Sequence, residues 1–185
     1  DMAYQSLLKS TRQQLHHHIA QVLAEQFPAA KATQPELLAH HYTAAGLIGQ
    51  ALPYWQQAGQ RAVQRSANLE AISHLTKGLE LLKTLPDTPE RAQQELTLQL
   101  TLGPPLMATK GYAAPEVGEA YARARALSKQ VGETPQLFSV LYGLWAFYQV
   151  RGEFPTAREL GHELLMLAQT VHDSALLLMS HWALG

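Results

Sequence analysis

Histidine is the residue whose spacing in this chain first suggests chemistry. Consecutive histidines occur as His16-His17-His18 and as His40-His41, and imidazole is a common metal ligand and acid–base group. Both runs fall in segments with helical periodicity, where neighbouring side chains point about 100° apart and cannot converge on one ion. The remaining histidines show no ligand spacing: His74, His162, His172 and His181. We therefore predict no metal site; a His-dependent hydrolase or metalloprotein is the minor alternative.

The carboxylates and the short catalytic motifs do not indicate an enzyme. Predicted first turns and solvent faces, where acidic side chains favour the helix dipole, carry Glu70, Glu80, Glu90 and Glu95. The phosphate-binding pattern G-x4-G-K-[ST] and the nucleophile pattern G-x-S-x-G are absent. We therefore expect no catalytic residue and no cofactor in this stretch of chain.

Basic and aromatic side chains on predicted helices are the candidates for binding. Arrays of helix pairs present exposed side chains of their first helices on an inner, concave face. We expect that face to carry Arg61, Arg65, Lys77, Tyr121, Arg123, Arg125 and Arg151. A solvated charged surface explains the same residues equally well.

The helices that would position these residues are indicated by the spacing of small and large residues, which is typical of a tetratricopeptide repeat of about 34 residues. Large residues fill the gap between paired helices, a glycine ends the first helix, and small residues allow close approach. Tyr-x3-Gly-x4-Ala occurs from Tyr42 and again from Tyr148, and Ser66 stands where another turn glycine would be. The positions assigned to this packing are Tyr42, Gly46, Ala51, Trp55, Ala58, Gly59, Ala71, Leu75, Trp145, Tyr148, Gly152 and Ala157.

Hydrophobic periodicity predicts an all-α chain of about nine helices, arranged as a right-handed superhelix of antiparallel helix pairs. The first helix is expected from Tyr4 to Phe27. Thr88-Pro89 and Thr134-Pro135 each indicate a hydroxyl cap followed by proline in the first helical turn. We also expect Asn68 to cap a helix and Gly103-Pro104-Pro105 to break one.

The predicted organisation has two parts. Residues 1–30 are interpreted as the end of a preceding module or as a capping helix, and residues 31–185 as the repeat array. Both ends of the sequence look cut, so we expect a fragment with further repeats missing at the C-terminus. The apolar segment His181–Gly185 predicts self-association through an exposed repeat face, or a frayed last helix.

Composition narrows the function classes. The chain has 185 residues and is 46% hydrophobic, which is enough to bury a continuous core. Its 14 basic and 15 acidic residues give a net charge of -1, which disfavours binding to nucleic acid or to a membrane surface. Cysteine is absent, so disulfides and thiolate zinc sites are excluded. With no signal or transmembrane segment apparent, a cytoplasmic location is the default expectation.

Four segments together resemble a known kind of protein region. They are Leu15–Ala20, Pro35–Tyr42, Tyr54–Gly59 and Ser66–Ile72. These segments resemble the tetratricopeptide-like helical-repeat region of large bacterial signalling ATPases of the STAND type. Such proteins include multidomain adenylate or guanylate cyclases and relatives of the maltose-regulon activator.

That resemblance implies a regulatory role. In such proteins the repeat region is the sensor or docking arm of a nucleotide-binding switch, so the chain is expected to be a non-catalytic scaffold. Its expected partners are another protein, other domains of its own chain, or a small-molecule inducer. A stand-alone nucleic-acid-binding regulator is the alternative, and the resemblance carries over no catalytic residue.

Overall fold

Residues 8–132 and 136–185 are described by a computed structural model, and within them the chain forms only helices, turns and loops. Nine of the ten helices have seven or more residues, which confirms the predicted all-α class and helix number. The helices are α1 Lys9–Gln26, α2 Pro28–Thr33, α3 Pro35–Ala44, α4 Ile48–Gln64, α5 Asn68–Leu82, α6 Pro89–Lys110, α7 Pro115–Val131, α8 Leu137–Val150, α9 Phe154–Val171 and α10 Ser174–Leu184. The start predicted at Tyr4 and the cap predicted at Thr134-Pro135 lie outside the described residues.

The chain divides into two compact units, one ending at Leu85 and one beginning at Pro86. In the first unit, α1 packs on α3, α3 on α4, and α4 on α5. In the second unit, each helix from α6 to α9 packs on the helix that follows it. Packing between consecutive helices is what a tandem helical array requires, and the predicted superhelix and the predicted boundary near residue 30 stay predictions.

Three interhelical turns share one backbone geometry. Gly46, Ser66 and Gly152 are left-handed, with φ of 79°, 57° and 76°. In each turn the next residue donates its N–H to a carbonyl five residues back, which is the Schellman pattern that satisfies the last carbonyls of a helix. The bonds join Leu47 N to Tyr42 O at 2.9 Å, Ala67 N to Ala62 O at 2.9 Å and Glu153 N to Tyr148 O at 3.0 Å. The conformation predicted from Gly46 and from the glycine-like position of Ser66 is therefore present.

Small residues allow the helices to approach closely. Ala51, Ala62 and Ala71 are fully buried. At Gly59 the α4 backbone lies so near α5 that an added Cβ would be 2.4 Å from Leu75 Cδ2. Leu75 is itself fully buried, so it fills the space that the missing side chain leaves.

Tyr121 is held between two glycines in the second unit. A Cβ at Gly103 would lie 2.4 Å from Tyr121 Cζ, and a Cβ at Gly143 would lie 2.1 Å from Tyr121 Cε1. The ring of this α7 residue therefore lies against the α6 backbone on one side and the α8 backbone on the other. It cannot move away from either glycine without meeting the other.

The predicted helix break at Gly103-Pro104-Pro105 is wrong. α6 continues through both prolines to Lys110, although each proline removes a donor and costs about 3 kcal/mol in a helix interior. Leu102, Pro105 and Leu106 are buried. Because each buried large side chain stabilises by roughly 1.5–3 kcal/mol, tertiary packing of this stretch outweighs its poor helix propensity.

The two predicted caps within the described residues have different outcomes. Thr88 caps α6 as predicted, since its hydroxyl accepts the Arg91 N–H at 3.2 Å. The cap predicted at Asn68 is wrong, because Asn68 is already the first residue of α5 and Ala67 holds the cap position without a side-chain hydrogen bond. Because the backbone of Ser66 is left-handed, the chain turns at this residue, and α5 begins two residues later at Asn68.

Replacing Ser66 by glycine should stabilise the protein. Glycine adopts the left-handed conformation without the Cβ clash that serine suffers, so Ser66→Gly should raise the free energy of unfolding by roughly 0.5–1 kcal/mol. The matched control is Ser73→Gly inside α5, which should lower it by a similar amount because glycine is a poor helix former. Urea denaturation measures both, and equal destabilisation by the two changes would contradict the turn geometry.

Adding one methyl group at Gly143 should destabilise the second unit. Gly143→Ala forces the Tyr121 ring against the α6 backbone, so we expect a loss of roughly 1–3 kcal/mol. The control is Gly49→Ala in α4, where a Cβ meets no atom within 4 Å and should stabilise by about 0.5–1 kcal/mol. Thermal unfolding followed by circular dichroism compares the two, and an unchanged midpoint for Gly143→Ala would rule out the close approach of α7 and α8.

Candidate functional site

The candidate binding site of the first unit is a groove lined in part by Trp55. It has a volume of about 590 Å³ and is formed by three consecutive helices. Its lining residues are His40 and Thr43 of α3, Trp55 of α4, and Ile72, Ser73, His74, Thr76, Lys77 and Glu80 of α5. We call it the Trp55 groove. Because α3 and α5 flank the middle helix α4, the groove exists only when both helix pairs are packed.

The indole of Trp55 is fixed from two sides. Its Nε1 donates to Thr43 Oγ1 at 2.9 Å, and that hydroxyl donates to the Ala39 carbonyl at 2.7 Å. The His74 ring packs at 5.5 Å between centroids, on the α5 side. Trp55 is half-buried, so part of its apolar surface lines the groove while its polar atom is satisfied.

Polar groups lie on the α5 side of the Trp55 groove. Lys77 Nζ pairs with Glu80 Oε2 at 3.3 Å, and both side chains remain about half exposed. A pair this exposed contributes little to stability, so a partner's carboxylate can compete for Lys77 at small cost. His74 Nε2 is shielded from solvent without a hydrogen bond, and its nearest carboxylate oxygen is Glu70 Oε1 at 3.5 Å.

The second unit repeats this arrangement around Tyr121. A groove of about 360 Å³ is lined by Thr97, Leu100, Thr101 and Pro104 of α6, Tyr121 of α7, and Gln136 and Ser139 beside and in α8. As in the first unit, two helices flank a middle helix that supplies an aromatic side chain. Tyr121 is only 5% exposed, and burial raises the pKa of its hydroxyl to about 12. The predicted binding residue Tyr121 thus contributes mainly to packing and only its edge to the groove.

Arg125 lines a further groove of about 380 Å³ in the second unit, beside Leu137 and Leu141 of α8. One guanidinium nitrogen of Arg125 lies 2.7 Å from both carboxylate oxygens of Glu163 in α9. This ion pair spans from α7 to α9, and both of its residues line the groove. A ligand here would have to compete with an existing carboxylate for Arg125.

Each of the other predicted basic residues is held by a neighbouring group of the chain. Arg61 donates to the Ala32 carbonyl, and its Nε is buried without a hydrogen bond. Arg65 pairs with Glu70 at 2.9 Å.

Arg123 and Arg151 are paired in the second unit. Arg123 makes a bidentate pair with Glu95 at 2.6 and 2.9 Å. Glu95 was expected on a solvent face but is only 12% exposed, because the α7 guanidinium covers it. That bidentate bond raises the pKa of Arg123. Arg151 pairs with Glu153 at 2.8 Å and lies 5.2 Å above the Phe147 ring.

Three histidines that the sequence did not bring together are neighbours in the structure. His16 of α1 lies with His40 and His41 of α3, and the ring centroids are 5.0–5.8 Å apart. The sequence analysis considered each histidine run within its own helix, whereas the packing of α1 on α3 brings one residue of the first run against both residues of the second. No sequence signal could have identified this contact, since it depends on where one helix lies along the other.

Two features are absent from the part of the chain that the structure describes. Among those residues, no group of three or more histidine, aspartate or glutamate side chains is placed to hold a metal ion. None of the described helices has the length and apolar content needed to cross a bilayer.

The last helix, α10, runs to Leu184 and is capped by Asp173, whose side chain accepts the Ala175 and Leu176 N–H groups at 2.8 and 3.1 Å. Leu178 and Trp182 are largely exposed on it. The self-association predicted through this face stays a prediction.

Comparison with known proteins adds one relative. An uncharacterized protein of Rhizobium meliloti (strain 1021) is 27% identical over 144 residues, which cover 77% of this chain and 14% of the relative. The matched region is therefore a small part of a much longer protein. No family model and no solved structure matches the chain.

Proposed function

We propose that this chain is a non-catalytic helical-repeat scaffold that mediates regulatory protein–protein or intramolecular interactions within a larger bacterial signalling protein. The observation that carries the proposal is the recurrence of one groove design, in which two helices flank an aromatic residue of a middle helix, at Trp55 and at Tyr121. Tandem helical arrays use such inner surfaces to bind other chains. The proposed architecture is the right-handed superhelix, and the proposed location is the cytoplasm.

The chemistry of the Trp55 groove fits an extended protein segment. Trp55 and Ile72 offer apolar surface for one side chain, while Ser73 and Thr76 can bond the peptide backbone. Lys77, weakly held by Glu80, favours an acidic side chain next to the apolar one. We therefore propose a partner segment that combines a large apolar residue with a nearby carboxylate.

The charges support a protein partner over a nucleic acid. The net charge is -1, and the arginines named as binding candidates are engaged by carboxylates or carbonyls of the same chain. Phosphate contacts would have to displace those partners, which reduces the free energy available for binding. Nucleic-acid binding has no comparable support on this surface.

Regulation would follow from differential binding. A segment that binds the groove in one state of the larger protein and leaves it in the other shifts the equilibrium between the two states. The matched region is 14% of its long relative, which leaves ample chain for a switch and an effector. The resemblance to signalling ATPases is the basis for proposing that switch, and a small-molecule inducer is a second occupant that the same mechanism accommodates.

Substitution at Ile72 should separate groove binding from binding elsewhere. Peptides selected on the intact chain from a random library should contain a large apolar residue near an acidic one. Ile72→Arg should weaken their binding at least about tenfold, a loss of about 1.4 kcal/mol, because the longer side chain fills the groove and removes the apolar surface of Ile72 beside Trp55. Leu69→Arg is the matched control, since Leu69 is on the same helix and is 76% exposed outside the groove.

Fluorescence anisotropy with labelled peptides measures both variants. Unchanged affinity for Leu69→Arg together with the loss for Ile72→Arg would support the proposal. Equal effects of the two substitutions would contradict it. Selection of no peptide, combined with salt-dependent binding of an oligonucleotide, would replace it with the nucleic-acid alternative.

A further inference from the structure

The histidine cluster, formed by His16 of α1 with His40 and His41 of α3, has a geometry that depends on protonation. His16 Nδ1 and His41 Nδ1 are 2.8 Å apart, which is hydrogen-bond distance. His40 meets both rings edge-on, with centroids 5.8 Å from His16 and 5.4 Å from His41. Three imidazoles from two helices thus lie within one small volume.

A bond between two Nδ1 atoms requires one protonated and one unprotonated nitrogen. One imidazole donates its N–H, and the other accepts with its lone pair. The bond survives one added proton, because the charged ring donates its N–H and the other ring accepts once its own proton is on Nε2. When His16 and His41 are both protonated, two N–H groups face each other and the hydrogen bond is lost. Both rings would then carry like charge at contact distance, with His40 beside them. Protonation of both rings therefore disfavours the contact between α1 and α3.

The packing of α1 buries little apolar surface. Of the 18 residues of α1, Ala20 alone is buried. An alanine buries few apolar atoms, and the other inward side chains of the helix are only half-buried. The hydrogen bond between His16 and His41 is therefore one of the polar contacts that join α1 to α3.

We propose that the histidine cluster is a pH-sensitive clasp, which holds α1 on α3 while His16 and His41 are neutral and releases α1 when the surroundings become acidic.

The direction of the pH effect follows from the environment of the two rings. Burial first, and the neighbouring His40 second, lower the pKa of His16 below its ordinary value of 6.5. Burial, then His16 and His40, lower the pKa of His41 in the same way. A released α1 restores the ordinary pKa, so below about pH 6.5 the released state binds more protons. Docking is therefore at full strength above that pH and weakens as the pH falls below it.

The charged groups on the packed helices do not reverse this effect. Arg12 lies one turn before His16 on α1, and Lys31 is on α2. Both are cations, so neither can favour protonation of the docked cluster. Glu36 lies one turn before His40 on α3 and offsets part of that charge. Glu25, farther along α1, acts instead on Tyr42, whose pKa it helps to raise.

The groups contributed by α4 and α5 are engaged elsewhere. Arg61 of α4 donates to the Ala32 carbonyl, and Lys77 of α5 is paired with Glu80. His74 lies beside Trp55, in the groove that His40 also lines. None of these groups lies between His16 and His41, whose nitrogens are in direct contact.

Hydrogen exchange of the intact chain tests the clasp. Amide protection in α1 is compared at about pH 7.5 and about pH 5.5, on either side of the ordinary histidine pKa, after correction for intrinsic exchange. Because a released histidine takes up a proton below about pH 6.5, each of His16 and His41 should contribute up to about a tenfold loss of α1 protection at the lower pH. Protection of α5 should not change and serves as the internal reference.

Two substitutions sharpen the test. His16→Gln keeps a neutral polar side chain at every pH and should reduce the pH dependence of α1 protection, leaving only the part that comes from burial of His41 and from His40. His18→Gln, an exposed position on the same helix, should behave like the unaltered protein. If His16→Gln releases α1 even at the higher pH, the unaltered protein provides the test instead. An acid-induced loss of amide protection that is confined to α1 of the unaltered protein then supports the clasp. Equal protection of α1 at both pH values, equal loss in α1 and α5, or unaltered pH dependence in His16→Gln would overturn it.

Discussion

The structure depends on the close approach of neighbouring helices. This approach is possible because a glycine, which has no side chain, faces a large side chain of the next helix. Gly59 receives Leu75, Gly118 receives Phe147, and Tyr121 is clamped between two glycines. At each position an added Cβ would lie 2.1–2.5 Å from the facing side chain. The helices must therefore pack at the distance that these glycines set, because real Cβ contacts are never so short.

The grooves are a consequence of that packing. When the middle helix lies close to both neighbours, its aromatic residue is left between the two flanking helices, as Trp55 and Tyr121 are. The left-handed turns at Gly46 and Ser66 bring the chain back within a few residues, so consecutive helices must pack on each other. The ion pair between Arg125 and Glu163 then ties helices that are not consecutive. Fold and candidate binding surface thus have the same physical origin.

Local features of the sequence were sufficient to predict local features of the fold. The turns at Gly46 and Gly152, and the cap at Thr88, depend on residues within one helical turn. The break expected at Gly103 was wrong, because Gly103 is where Tyr121 enters and the surrounding side chains are buried. The helix propensity of these residues favours a break, but tertiary packing keeps the helix continuous. Tertiary packing cannot be predicted from the local sequence alone.

The candidate sites were less predictable for the same reason. The sequence indicated which basic side chains lie on helices but not that Arg123 would be neutralised by Glu95, nearly thirty residues earlier along the chain. It also gave no sign that His16 would meet His41, because that contact is set by the packing of two helices rather than by spacing.

The most direct test of this account is a nuclear Overhauser measurement at Tyr121. The account predicts strong contacts from the Tyr121 ring protons to the α-protons of both Gly103 and Gly143, since each backbone lies against the ring. It also predicts sequential amide contacts on both sides of the two prolines in an uninterrupted α6. Contacts to only one glycine, or extended geometry beginning at Gly103, would contradict the close packing from which the grooves are derived.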